Sequence, residues 1–292
     1  MLITKSIDSS CLLATVLFSG SYMLRMASFH RDHSHFDYQK LRALDPDYII
    51  DSFAHRSSQA TTEISIGLIN ALGWCVFCIP ILLTSWHLSN RGTQHLSVSI
   101  GIAVLALAGS FSEMLAAVLY LGVSNTIEWV SSSFELKDWT GAGDTVGYRT
   151  VEVVSVILRG LLLWVDAMEW LFLCGIFVLL FKLVRATTRA SSMEENSLWS
   201  SQWAMLGLCI GILSLVDFYA NVLRFASWRV FSRIAFYVSM SMRLVLMPIW
   251  LLWLGRILHS VTMKGEDGTA ASPEAELTLR ESPAEIEDGE II

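Results

Sequence analysis

Charge is what this 292-residue chain has least of. Asp, Glu, Lys and Arg together make up 16% of it, where soluble chains carry roughly 25%. Apolar residues (AVILMFWYC) fill 53%, and the mean hydropathy is +0.52. That balance excludes an ordinary soluble domain. No face rich in Lys and Arg exists, which excludes a nucleic-acid-binding domain. Cysteine is scarce as well. The five residues lie mostly inside apolar runs, so a small secreted disulfide scaffold is excluded.

Chemical motifs are missing too. The chain has no Gly-x4-Gly-Lys, no Gly-x-Ser-x-Gly and no His-Glu-x-x-His, so phosphate-loop, hydrolase-elbow and metalloprotease chemistries have no support. No span carries a His pair for haem or metal, and no lysine sits mid-span to form a Schiff base. The sequence predicts a protein that is not an enzyme and names no cofactor. It also lacks any Asn-x-Ser/Thr acceptor for glycosylation.

What the chain has is long apolar runs. A helix crossing ~30 Å of hydrocarbon needs about 20 mostly apolar residues. Five such spans are predicted, at about 64–86, 96–121, 153–181, 199–225 and 230–258. Lipid cannot satisfy backbone N–H and C=O groups, so each run must be helical. The runs are continuous rather than alternating, which argues against a β-barrel. The expected fold class is an all-α polytopic bundle of five spans over 63–260, or six if residues 11–26 insert.

Residues 1–27 form an apolar N-terminal segment broken by Ser19, Gly20, Ser21 and Arg25. It reads as a first span, the hydrophobic region of a signal peptide, or an interfacial helix. The polar segment 28–62 follows, with Asp45-Pro46-Asp47 as a helix cap and start. The loop 122–150 reads as an interfacial stretch and a turn. The formal charge of −7 belongs to the C-terminal end: residues 264–292 hold nine acids and two bases, and the rest is balanced. Residues 261–292 are therefore expected to be a disordered acidic tail. Basic residues near span ends divide ten to six between the two sides, but Lys182, Arg185 and Arg189 cluster on the poorer side. Orientation stays open on that count, as does the choice of membrane.

The residues that stand out are ionisable groups inside the runs: Glu113, Arg159, Asp166, Glu169, Asp217, Arg224 and Arg243. Each costs roughly 2.5–3.5 kcal/mol facing lipid alone, so they must turn inward. Asp217, Asn221 and Arg224 lie at i, i+4 and i+7, one polar stripe of a helix. Rises of 1.5 Å per residue place Arg243 level with Asp166, and Arg159 nearly level with Asp217. Two interhelical ion pairs are predicted accordingly. Glu113 or Glu169 is then left without a full positive partner.

Other signals carry less. His30, His33 and His35 crowd together beside Asp32 and Asp37, a donor set that could hold zinc or copper. Cys75 and Cys78 have CxxC spacing but lie mid-span, where packing is the expectation. Ala108, Ser112 and Ala116 form a small-residue ladder beside Glu113, and Gly207 and Gly211 form a GxxxG. Trp86, Trp129, Trp199, Trp203 and Trp228 read as interfacial anchors. Pro248 should kink the last span just past Arg243.

Two functions are compatible with these features. One is a small transporter or channel-like protein whose interior carboxyls couple to protons or cations. The other is a non-catalytic membrane scaffold or assembly subunit, whose ion pairs fix helix packing and partner choice. The expected partners are the lipid bilayer and other membrane proteins or further copies of the chain, with no nucleic acid.

Overall fold

The computed structural model describes the backbone of residues 2–32, 46–89, 96–133, 145–190, 201–223 and 228–270. Side-chain surroundings are described chiefly for 9–27, 61–89, 96–119, 167–188, 201–223 and 230–260. The helices are α1 (Leu2–Asp32), α2 (Pro46–Ser89), α3 (Leu96–Ser133), α4 (Thr145–Ala190) and α5 (Ser201–Leu223). They are followed by α6 (Trp228–Ser241), a π-helical segment (Met242–Leu246) and α7 (Met247–Ala270). The last three run on as one rod. Among the described residues there is no strand.

Among the described residues six stretches are long and apolar enough to cross a membrane: Ser9–Ala27, Thr61–Ser89, Leu96–Leu119, Ala167–Thr188, Ser201–Leu223 and Val230–Ser260. The protein is thus an all-α, multi-pass helical bundle with six spans. Each span packs against its neighbour in sequence, and α7 closes back on α1. The bundle is a ring, and its polar residues meet inside it.

The N-terminal apolar segment is the first span. Cys11, Ala14, Phe18 and Tyr22 repeat at three- and four-residue intervals and are all buried. Phe18 sets its ring edge-on to Trp74 and Phe77 of α2. The Tyr22 hydroxyl donates to the Phe236 carbonyl of α6 at 2.7 Å. An interfacial helix would not have buried this face within the bundle.

Several expected boundaries move. α2 begins at Pro46, where proline's fixed φ and missing N–H suit the first helical turn. It then carries the second half of the polar 28–62 segment, from Pro46 on, as helix. α3 extends past its apolar run to Ser133, absorbing the start of the expected loop. The described apolar stretch of α4 is Ala167–Thr188 rather than ending at 181. Lys182 and Arg185 are exposed on its last turns while Leu183, Val184 and Thr187 are buried between them. Long cationic stems can reach toward the interface from such positions, so they do not end a span. The acidic tail is expected to be disordered from 261, but α7 continues as helix to Ala270; residues 271–292 lie outside those described.

The last span has a defect with a traceable cause. Pro248 has no N–H, so one carbonyl upstream must lose its helical partner. Here the Met247 N–H bonds to the Met242 carbonyl, five residues back. That leaves the Arg243 carbonyl without its usual donor at 247, and the next candidate, Pro248, has none to give. The Ser19 hydroxyl of α1 fills the gap, donating to the Arg243 carbonyl at 3.2 Å. Pro248 therefore produces a π segment around Arg243, and α1 satisfies the freed carbonyl.

Small residues let the ring close. The buried ladder on α3 is Ile102, Ala106, Gly109, Ser110, Glu113 and Ala116, one row over from the Ala108–Ser112–Ala116 ladder expected. Glu113 lies within it rather than beside it. A Cβ on Gly109 would stand 2.6 Å from the Trp74 indole. Gly207 and Gly211 of α5 receive the Phe177 side chain of α4, and Gly207 also meets Trp250. Trp203 stacks on Trp250 with centroids 4.8 Å apart; it is buried, not the interfacial anchor the sequence implied.

Gly109→Ala should overpack the α2–α3 contact and cost about 1–3 kcal/mol. Gly20→Ala, with nothing within 4 Å of the added carbon, should leave stability unchanged or slightly raised. Thermal unfolding of both variants in detergent checks the pair.

Candidate functional site

A polar cluster forms where α2, α3, α4 and the last span face one another. Each member gets there through local helical spacing. On α2, Asn70, Trp74, Phe77, Cys78 and Ile81 share the buried stripe, so Asn70 and Trp74 sit one turn apart. On α4, Glu169 heads the stripe that continues through Leu173, Ile176 and Leu180. It lies on the inward face of the helix. On α3, Glu113 occupies the small-residue ladder. Arg243 lies in the π segment, where the extra residue per turn alters the direction of the side chains around it.

The contacts are dense. Arg243 forms an ion pair with Glu169 through Nη2 and Oε1. Its Nη1 donates to the Asn70 amide oxygen at 2.5 Å. The Asn70 amide nitrogen donates to Glu113 Oε1 at 2.5 Å and reaches Glu169 Oε2 at 3.4 Å. The Trp74 indole N–H donates to Glu169 Oε2 at 3.1 Å. The Arg243 guanidinium also lies 4.8 Å from the Trp170 ring centroid, a cation–π contact that matters most when water is excluded. Exposure is 1% for Glu169 and Trp74, and 4% for Asn70, Glu113 and Arg243.

Asn70 is the residue that makes this possible. An amide can accept from a guanidinium and donate to carboxylates at once. It is the one side chain here whose two ends bind opposite kinds of partner. Sequence reasoning passed over it because it carries no charge. Its signal was available: it is the only Asn within the cleanest apolar run, one turn before a tryptophan on the same face.

A third buried carboxyl stands apart from this cluster. Asp217 of α5 is fully buried and accepts a hydrogen bond from the Ser239 hydroxyl of α6 at 2.5 Å. Asn221 donates to both the Asp217 carbonyl and its carboxylate, at 2.9 and 3.2 Å. Asp217 and Asn221 thus share one buried face. Arg224, the third member of the expected stripe, lies outside the described residues.

The expected partnerships fare differently. Arg243 meets Glu169, the carboxyl that the depth reckoning left short of a partner. That reckoning assumed a span starting at Val153 and an even rise, while α4 begins its helix at Thr145; Asp166 and Glu169 differ by less than one turn, within the reach of an arginine stem. The side chains of Arg159 and Asp166 lie outside those described, and with them the Arg159–Asp217 pairing. So do the side chains of His30, His33 and His35. Among the described residues no group of three or more His, Cys, Asp or Glu could hold a metal ion.

The CxxC pair is split by helix geometry. Cys75 is exposed on the outer surface, and Cys78 is buried, bonding through Sγ to the Ala106 carbonyl and to Ser110 at 3.2 and 2.9 Å. Both are free thiols.

Six apolar spans and a charged cluster sealed inside them define an integral multi-pass membrane protein. No protein-family model matches the chain, and no curated protein or solved structure is detectably similar to it.

Arg243→Met should leave Glu169 buried without its guanidinium and cost about 3–5 kcal/mol. Trp74→Phe, which removes one donor and keeps most of the ring, should cost about 1–3 kcal/mol. Unfolding midpoints of purified protein in one detergent would rank the two.

Proposed function

We propose that this membrane protein is a non-catalytic scaffold or assembly subunit, in which the interior ion pair and its hydrogen bonds fix which helices meet. Dryness supports this reading. Glu113, Glu169 and Asp217 are each no more than 4% exposed, and the described groups around Glu169 give it three donors. A carboxyl that hands protons or cations across a membrane needs water on at least one side. A carboxyl that specifies packing needs the opposite: full enclosure and full pairing.

One observation favours the transport reading. Arg243 sits on a π segment directly before a proline, and such irregular turns often mark places where a helix changes shape in use. A last span able to shift register there would carry the guanidinium away from Glu169.

One experiment separates the two. Glu169→Gln and Asp217→Asn should each lower folded yield or association with partner subunits, and Glu169→Leu with Arg243→Met should recover it. Proteoliposomes of the wild-type protein should show no flux driven by a pH gradient. Single variants that express and fold normally, yet abolish a proton- or cation-linked flux seen in the wild type, would sink the scaffold reading.

A further inference from the structure

Three cations stand at one end of the bundle. Lys182 and Arg185 of α4 and Arg256 of α7 are exposed, and each lies within two turns of the end of its span. Among the described residues no carboxylate pairs with any of them. The acids whose side chains are described lie elsewhere. Glu113, Glu169 and Asp217 are buried, and Glu63 stands near the start of the second span, at the opposite end.

Gly207 shows that the cations share one level. A Cβ there would lie 3.1 Å from the Phe177 ring and 3.0 Å from the Trp250 indole nitrogen, so α4, α5 and α7 meet at a common depth. The fourth and sixth spans run the same way through the membrane, and the fifth runs against them. At 1.5 Å per residue, Lys182, Arg185 and Arg256 then lie roughly 7, 12 and 9 Å nearer the surface than that contact. Ser201, where α5 begins, comes out at about 9 Å as well. The first turn of α5 holds no acid, and the N-terminal end of a helix is itself partly positive. The opposite end is mixed: Arg233 is exposed there, but Glu63 and Arg25 stand at the same end.

We infer that this rim binds the headgroups of anionic phospholipids. A cation facing outward from the last turns of a span meets the headgroup layer beside it, which its long stem reaches. Ile249, Leu252 and Arg256 follow at three- and four-residue steps on the outer face of α7. That face is apolar first and cationic about 10 Å later. A phospholipid has the same profile, acyl chain below and phosphate above; a soluble peptide does not. The arginines can grip phosphate oxygens through paired N–H bonds, and Lys182 adds a point charge. The inference goes beyond the scaffold reading and holds whether the protein assembles or transports.

The chain's own acidic stretch, 264–292, continues from α7 at this end and is the rival for the same cations. Native mass spectrometry of the full-length protein in neutral detergent, with phosphatidylglycerol or phosphatidylcholine added, separates the two. Phosphatidylglycerol should bind more tightly, by about fivefold for each cation engaged, and more ammonium acetate should narrow the gap. Lys182→Gln, Arg185→Gln and Arg256→Gln combined should fold like the wild type, since the side chains lose no described pairing, and bind the two lipids alike. Each single variant should lose part of the preference, and Arg233→Gln should keep it. Equal binding of both lipids by the wild type, as expected if the acidic stretch already neutralises the rim, would overturn the proposal. So would a triple variant that retains the preference, or an Arg233→Gln variant that loses it.

Discussion

A guanidinium cannot be neutralised by losing a proton at any ordinary pH. Arg243 must therefore be solvated wherever the fold puts it, and the fold puts it between helices. Much of the interior arrangement follows from that demand. Glu169 supplies the countercharge, Asn70 an oxygen, and the Trp170 ring a negative face. These groups come from two helices other than the one that carries Arg243, so satisfying one side chain fixes the placement of α2, α4 and the last span together. In water such contacts would be worth little. In a dry interior, leaving any of them unmade is what costs.

The backbone around Arg243 obeys the same logic. Pro248 removes one donor from the helix, and the π segment shifts the vacancy onto the carbonyl of Arg243 itself. Ser19 of α1 closes it. The side chain of Arg243 thus binds α2 and α4 while its main chain binds α1. The first span is tied to the last at the level of the charged cluster, and Tyr22 repeats the tie at Phe236. A short apolar run interrupted by small polar residues looks poor as a free-standing span, yet those polar residues are the ones it uses. Ser19 and Tyr22 face a neighbour, not lipid.

Packing around the cluster is tight for an identifiable reason. Association of helices in lipid draws on close contact rather than on the hydrophobic effect. Gly109 admits Trp74, and that indole in turn donates to Glu169. Gly207 and Gly211 admit Phe177, which lies two turns along the same stripe as Glu169 and meets Trp250 edge-on. The glycines determine where large rings can sit, and the rings determine where polar atoms can reach.

The sequence alone determined the fold class, the approximate spans and which groups could not face lipid. Those follow from the length of apolar runs and the cost of burying charge, both local properties. It also marked Pro248 as a defect and Glu113, Glu169 and Arg243 as inward-facing. Tertiary structure decided the pairing. Whether Arg243 meets Asp166 or Glu169 turns on a difference of less than one helical turn, smaller than the uncertainty in where a span begins. Asn70 escaped notice because its value lies in bridging opposite partners, which only their arrangement in space creates. The first span was undecidable for a similar reason: its hydropathy is marginal, and what holds it is hydrogen bonds and rings supplied by residues more than fifty positions away.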